Sequence, residues 1–180
     1  MNNQQNKTAK LAKMAMLVAI SIVLVMLIHF PIFPAVAFLE YDPADIPILI
    51  GTFAFGPTAG LVLTAVTSVL QGVTVSSASG LYGIIMHIIA TSVLTLTAGL
   101  IYRGHKTKKM AVIGLLAGSC AMAVVMAAAN MVITPAFMGV DAAVVWQLMP
   151  FIIAFNLVKA GINSVVTFLL YKRISPFLHR

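Results

Sequence analysis

Lys159 is the residue of this chain whose surroundings fit its chemistry least. It lies in an apolar segment, Leu148 to Tyr171, that contains no other charged residue and is long enough to cross a bilayer. A lysine at the centre of such a helix costs about 2.5–3.5 kcal/mol on insertion. Asn156 precedes it by three residues and Asn163 follows it by four, so the three side chains share one helix face. This pattern predicts the wall of a polar binding site.

Asn130, in the preceding apolar segment, adds an amide that could face the same space. A structural interpretation is the alternative: Lys159 pairs with an outer-loop acid such as Glu40, and the asparagines hold neighbouring helices together. Four polar groups on two adjacent helices are more than helix association requires, so a binding site is favoured. Whether Lys159 meets a ligand or a loop acid is open from these residues alone.

The composition places these groups in a membrane protein. The chain has 180 residues, of which 61% are hydrophobic and 8% are charged, whereas a soluble domain carries about 25% charged residues. Spans of about 20 apolar residues recur along it. We therefore expect an all-α integral membrane bundle of six transmembrane helices in a single domain, residues 1–180, with helices over about 9–29, 43–55, 57–75, 81–102, 110–133 and 148–173.

Prolines and acids indicate two of these boundaries. Asp42 is expected to cap the second helix, with Pro43 at the first helical position and Asp45 in the first turn. Pro135 is expected to end the fifth helix, which leaves residues 135–147 as a loop that could hold a short helix.

The charges indicate an orientation. Ten of the eleven basic residues flank the predicted helices on one side, and the eleventh is Lys159. The four acids fall in or beside loops on the opposite side. The positive-inside rule then places the basic side, with both termini, in the cytoplasm. The net charge of +7 is explained by this topology and by anionic lipid headgroups, so no nucleic-acid partner is predicted.

The sequence lacks the motifs that several activities require. The chain has no phosphate-binding G-x-x-x-x-G-K-[ST] segment, so it is not expected to hydrolyse ATP. No carboxylate is predicted at membrane depth, which argues against a proton or sodium site. An intramembrane enzyme that uses His87 is the alternative from another class, but it lacks an acid to orient the histidine. Widely spaced histidines and the single Cys120 predict no metal site. A binding subunit that takes its energy from a partner is favoured.

Several segments then resemble one family, the substrate-binding S components of energy-coupling factor (ECF) transporters, and most closely the riboflavin-specific type. The resemblance covers essentially the whole chain. The segments that carry it are Ala15-xxx-Ala19, Phe30-Pro31-Ile32-Phe33-Pro34, Leu39 to Pro47, Phe55-Gly56-Pro57 and Asn156-Leu157-Val158-Lys159.

The resemblance implies a division of labour. An S component of the bacterial plasma membrane captures a vitamin from outside and docks on a transmembrane T component, which carries two ABC-type ATPases. It implies docking through Ala15 and Ala19, a flavin as transported ligand, and no cofactor. A flavin nucleotide (FMN or FAD) or another vitamin is the alternative ligand. The implied ligand-binding residues, including those of an outer loop that covers the site, are Glu40, Tyr41, Tyr82, Gly83, Asn130, Asn156, Lys159 and Asn163.

Overall fold

Six α-helices account for most of the described part of the chain, residues 3–178 of a computed structural model. Two two-residue strands, β1 (Phe30–Pro31) and β2 (Glu40–Tyr41), pair antiparallel between the first two helices. Short 3-10 turns cover Pro34–Val36 and Ser77–Ser79. The helices are α1 (Asn3–Leu27), α2 (Asp45–Phe55), α3 (Pro57–Val73), α4 (Gly80–Gly104), α5 (Lys108–Met138) and α6 (Ala142–Leu178).

Four of these helices are long and apolar enough to cross a membrane, namely α1, α4, α5 and α6. The other two are shorter, with 11 residues in α2 and 17 in α3. At 1.5 Å per residue, α2 reaches about 16 Å, roughly half of the hydrocarbon core. The predicted number of helices is therefore confirmed, while six full crossings and cytoplasmic termini stay predictions.

Two predicted boundaries are wrong. Pro135 does not end α5, which continues to Met138 and ends at Gly139, where φ is +67° and the backbone N–H donates to the Pro135 carbonyl. A membrane helix accommodates an internal proline because its neighbours satisfy the freed carbonyl. The next helix then begins at Ala142 instead of 148, so the predicted 135–147 loop shrinks to residues 139–141.

The start of α2 also differs from the expectation. The helix begins at Asp45, and its N-terminus receives no side-chain cap. The Asp42 carboxylate instead accepts a hydrogen bond from the Ala44 N–H, at 3.1 Å from Oδ1. Asp42 therefore shapes the turn before the helix, and its second oxygen is left for other partners.

The chain between α1 and α2, residues 28–44, packs over one end of the bundle, and we call it the α1–α2 cap. Three of its apolar side chains are buried against the first half of α6, so this part of the cap belongs to the core. The buried cluster comprises Val36, Leu39 and Tyr41 of the cap with Val145, Met149, Ile152 and Phe155 of α6.

Helix α4 packs against both α3 and α5, and α5 also packs against α6. A close approach joins α4 and α5: a Cβ at Gly114 would lie 2.9 Å from the Ala98 carbonyl oxygen, so only glycine fits. Outside this group, α1 packs on α2 and α3 through Met14, Leu17 and Val18. The remaining face of α1 is exposed.

Candidate functional site

A buried ion pair joins the α1–α2 cap to α6. The Lys159 ammonium lies 2.8 Å from Oδ2 of Asp42, and the two side chains are 8% and 6% exposed. The expectation that no carboxylate lies at membrane depth is therefore wrong. The reason is that the cap folds inward, which brings a residue of the loop between α1 and α2 against the middle of α6. The loop acid that Lys159 meets is Asp42, and Glu40 has another partner.

The two charges of this pair offset each other's burial. The Asp42 carboxylate is buried, and it contacts the Lys159 ammonium and accepts a hydrogen bond from the Ala44 N–H, which compensate for the loss of water.

A second buried carboxylate, Asp45, lies next to this pair and is fully hydrogen-bonded. Asn163 Nδ2 donates to Asp45 Oδ2 at 3.0 Å and to the Asp42 carbonyl at 3.2 Å. Thr91 Oγ1 donates to Asp45 Oδ1 at 2.6 Å, and Tyr41 donates its hydroxyl hydrogen to Asn163 Oδ1 at 3.0 Å. The network ties the cap, α2, α4 and α6 together.

His87 also has an acid beside it, which corrects the expectation that it has none. Its Nε2 lies 3.6 Å from Asp45 Oδ1, and its Nδ1 lies 2.7 Å from the Ser68 hydroxyl oxygen. Ser68 Oγ also lies 2.7 Å from the Thr64 carbonyl oxygen, so the Ser68 hydroxyl hydrogen has two acceptors within reach.

A cavity opens beside the ion pair, beneath the cap. The space it offers to water-sized molecules is about 100 Å³, and its total empty volume is roughly 730 Å³ when the solvent space at its mouth is counted. At its rim, His29 Nε2 lies within hydrogen-bonding distance of Glu40 Oε2, at 2.7 Å. The apolar lining includes Met86, Ala90, Met122, Met126 and Phe155, and the polar lining includes Asp42, Ser68, Gln71, Ser76, Ser79, Asn156 and Lys159.

The predicted ligand-binding residues fall into two groups. Five line the cavity: Glu40, Tyr82, Gly83, Asn156 and Lys159.

The other three lie behind the cavity wall. Tyr41 and Asn163 belong to the network around Asp45, and Asn130 is buried in α5. The Asn130 Oδ1 accepts from Thr134, whose hydroxyl lies 2.9 Å from that of Tyr82. In this structure Asn130 therefore reaches the cavity only through other side chains.

The structure adds residues that were not predicted, above all Asp42 and Gln71. A signal for Gln71 was present in the sequence: Thr64, Thr67, Ser68 and Gln71 follow the i, i+3, i+4, i+7 spacing of one helix face. All four side chains are buried. No comparable signal distinguishes Asp42 from the other acids of its loop.

The two alanines predicted for docking lie on the protein surface, unlike the buried residues of this network. Ala15 and Ala19 are exposed on α1, whereas Leu17 and Val18 are buried. Small side chains at this spacing leave a shallow surface on which another helix can approach closely.

Apolar helices that enclose a polar cavity beneath a packed cap define a membrane-embedded protein that binds a small molecule. Residues 9–171 match the family described as "ECF transporter, substrate-specific component", and the chain belongs to that family.

Similar proteins agree with this assignment. The chain is 30% identical over 162 residues to "Riboflavin transporter FmnP" of Bacillus subtilis (strain 168), covering 84% of this chain and 85% of that protein. It is 32% identical over 160 residues to "Riboflavin transporter RibU" of Staphylococcus aureus (strain TCH60), covering 84% and 82%. A solved structure described as "Structure and mechanism of the S component of a bacterial ECF transporter" superposes with a TM-score of 0.82, at 32% identity, over 98% of this chain and 99% of that one.

The family and these relatives are transport components, so the chain is a multi-pass membrane transport protein and not an enzyme. The alternative of an intramembrane enzyme based on His87 is discarded. The family's ligand is a transported substrate, and no cofactor is assigned to the chain.

The ion pair predicts a specific pattern of stability. Lys159→Met leaves the Asp42 carboxylate buried and unpaired, so it should lower the free energy of unfolding by about 3–5 kcal/mol. The double variant Asp42→Asn/Lys159→Met removes both charges and should recover most of this loss. The measurement is unfolding of ligand-free protein in detergent. If the loss in free energy of unfolding in the double variant equals the sum of the losses caused by the two single substitutions, the ion pair is contradicted.

Proposed function

We propose that this chain is the riboflavin-binding S component of an ECF-type vitamin uptake transporter. The observation that carries the proposal is the cavity itself, with an apolar side and a hydrogen-bonding side that match the two kinds of surface of a flavin. The names of the two relatives, both riboflavin transporters, support the same ligand.

The lining suits the flat flavin ring. Met86, Met122, Met126 and Phe155 supply polarisable and aromatic surface for its faces. Asn156 donates one N–H to the Ile152 carbonyl at 2.8 Å, which leaves a second N–H and the amide oxygen for the pyrimidine edge of the ring. The proposed ligand contacts are therefore those of an uncharged heterocycle.

The charges favour riboflavin over its phosphorylated forms. Lys159 is already neutralised by Asp42, and Glu40 adds another acid at the rim. A phosphate would have to separate the ion pair or approach carboxylates without a free cation, and both alternatives cost free energy. We therefore propose riboflavin as the ligand in preference to FMN and FAD.

The proposed direction of capture follows from the distribution of charge. The cavity lies beside the cap, which carries Glu40 and Asp42, and it is lined by residues near the start of α4. The basic loop that joins α4 to α5 follows the other end of α4. Under the positive-inside rule the basic end is cytoplasmic. The cavity then opens to the outside, where the vitamin is captured.

Release into the cell requires a partner, because the sequence has no nucleotide-binding motif. We propose that the exposed face of α1 around Ala15 and Ala19 docks on a T component bound to two ABC-type ATPases. Exposed apolar residues beside the alanines, including Leu11, Met16 and Val23, would extend the contact.

Substitution of Asn156 tests the binding site. Asn156→Ala should weaken riboflavin binding about tenfold or more, because buried hydrogen bonds to the ring are lost. The matched control is Leu157→Ala, the next residue of α6, which is 42% exposed on the protein surface. Affinity is measured by quenching of flavin fluorescence. Equal affinity in the two variants would exclude Asn156 as a ligand-binding residue.

Substitution of Ala15 tests docking separately from binding. Ala15→Trp should abolish riboflavin uptake by cells and leave the affinity of the purified protein unchanged, since a large side chain blocks helix approach. The control Val124→Trp places the same side chain on the exposed face of α5 and should preserve uptake. Normal uptake by the Ala15 variant would contradict docking through this face.

A further inference from the structure

We infer that the end of the bundle that carries the α4–α5 loop holds a binding site for the phosphate group of an anionic phospholipid. Two adjoining cavities lie there, and they share Phe53, Tyr102 and Lys106. The larger offers about 260 Å³ to water-sized molecules and the smaller about 90 Å³. Neither shares a lining residue with the cavity beneath the cap. We call the two together the basic-end cavities.

Four cations line the basic-end cavities without an acid to balance them, namely Arg103, Lys106, Lys108 and Lys172. No acidic side chain lines either cavity, and none of the four cations forms an ion pair with another residue between 3 and 178. The four acids of the chain all lie towards the other end of the bundle, in the α1–α2 cap, at the start of α2 and between α5 and α6. The cluster therefore calls for an external anion.

Two of these cations face each other. The ammonium groups of Lys108, at the start of α5, and Lys172, near the end of α6, lie close enough to interact directly. An ammonium group only donates hydrogen bonds, so the two groups repel each other when no anion lies between them. A phosphate supplies acceptor oxygens to both and replaces this repulsion with attraction. The neighbouring cations in sequence, Lys109 and Arg173, line neither cavity.

The wall beside these lysines is aromatic, which favours a lipid over a free anion. Phe53, Tyr102 and Tyr171 pack against one another with ring centroids 4.6, 5.3 and 5.9 Å apart, and Phe168 lines the same cavity. The Tyr171 hydroxyl donates to the Phe53 carbonyl at 3.4 Å, so the wall offers mainly apolar ring surface. A soluble phosphate gains nothing from such a surface, whereas the glycerol and first methylene groups of a phospholipid pack on it.

The position of the basic-end cavities along the helices fits a membrane interface. They lie where one candidate membrane span ends, at Gly104, and the next begins, at Lys108. Under the positive-inside rule this end faces the cytoplasm, and basic pockets between membrane helices on that side suit anionic headgroups. No residue of α1 lines either cavity, so a lipid can occupy them while the exposed face of α1 remains free for a protein partner.

The experiment measures lipid binding by the purified protein. Native mass spectrometry in detergent, with dioleoylphosphatidylglycerol or dioleoylphosphatidylcholine added in steps, gives the two affinities. One molecule of phosphatidylglycerol should bind about tenfold or more tightly than phosphatidylcholine. Lys108→Gln/Lys172→Gln should remove most of this preference. The matched control, Lys109→Gln/Arg173→Gln, removes the same charge from exposed positions outside the cavities and should keep the wild-type affinities. A single peak in size-exclusion chromatography checks that each variant is folded.

Three results would overturn the lipid site. Equal affinity of the wild type for the two lipids, or an equal loss in both double variants, would show that only net charge attracts the lipid. Glycerophosphoglycerol, the same headgroup without acyl chains, should compete poorly, and binding as tight as that of the lipid would identify a soluble phosphate ligand instead. A Lys108→Gln/Lys172→Gln variant that keeps the wild-type lipid affinity but loses uptake by cells would assign the two lysines to an acidic protein partner. Lipid affinity is measured without the vitamin, so a failure here leaves the proposed riboflavin site standing.

Discussion

The contact between Asp42 and Lys159 holds together parts of the chain that lie 117 residues apart. Each charge alone would be costly in a membrane protein, and each makes the other tolerable. The pair brings the α1–α2 cap against α6, and the cap in turn roofs the cavity through Leu39 and Glu40. Asp45, Asn163 and Thr91 extend this contact into a network that reaches α2 and α4. The site is consequently part of the core of the fold.

This arrangement explains how the proposed site for an uncharged vitamin can contain charged residues. The ion pair neutralises itself, so Lys159 remains a hydrogen-bond donor without presenting a free positive charge to the cavity. Amide, hydroxyl and apolar groups then determine what fits. Under the proposed function the energy for release comes from a partner, which agrees with membership of a family of substrate-specific transport components.

The helical spacing of polar residues made part of the cavity lining predictable from the sequence. The polar stripe of α6 identified Asn156 and Lys159, and both line the cavity. The same spacing on α3 indicated Gln71 but was not recognised, since a glutamine is less conspicuous than a lysine in an apolar segment. Asn130 shows the limit of this approach: a helix period gives the face of a side chain, whereas its depth behind Tyr82 and Thr134 depends on how the helices pack.

Asp42 could not be placed because the path of residues 28–44 is a tertiary property with no period of its own. Its sequence neighbours made it look like a helix cap in an outer loop, while burial of Val36, Leu39 and Tyr41 against α6 turns the loop inward. The prediction that Pro135 ends the fifth helix was also wrong, because a proline ends a helix in water more readily than in a membrane bundle.

The most direct test of the account is the identity of the small molecule that the purified wild-type protein retains. Absorbance and mass of the compound released on unfolding should match riboflavin, at one molecule per chain. Release of a phosphorylated flavin or of another vitamin, or failure of the emptied protein to bind added riboflavin, would contradict it.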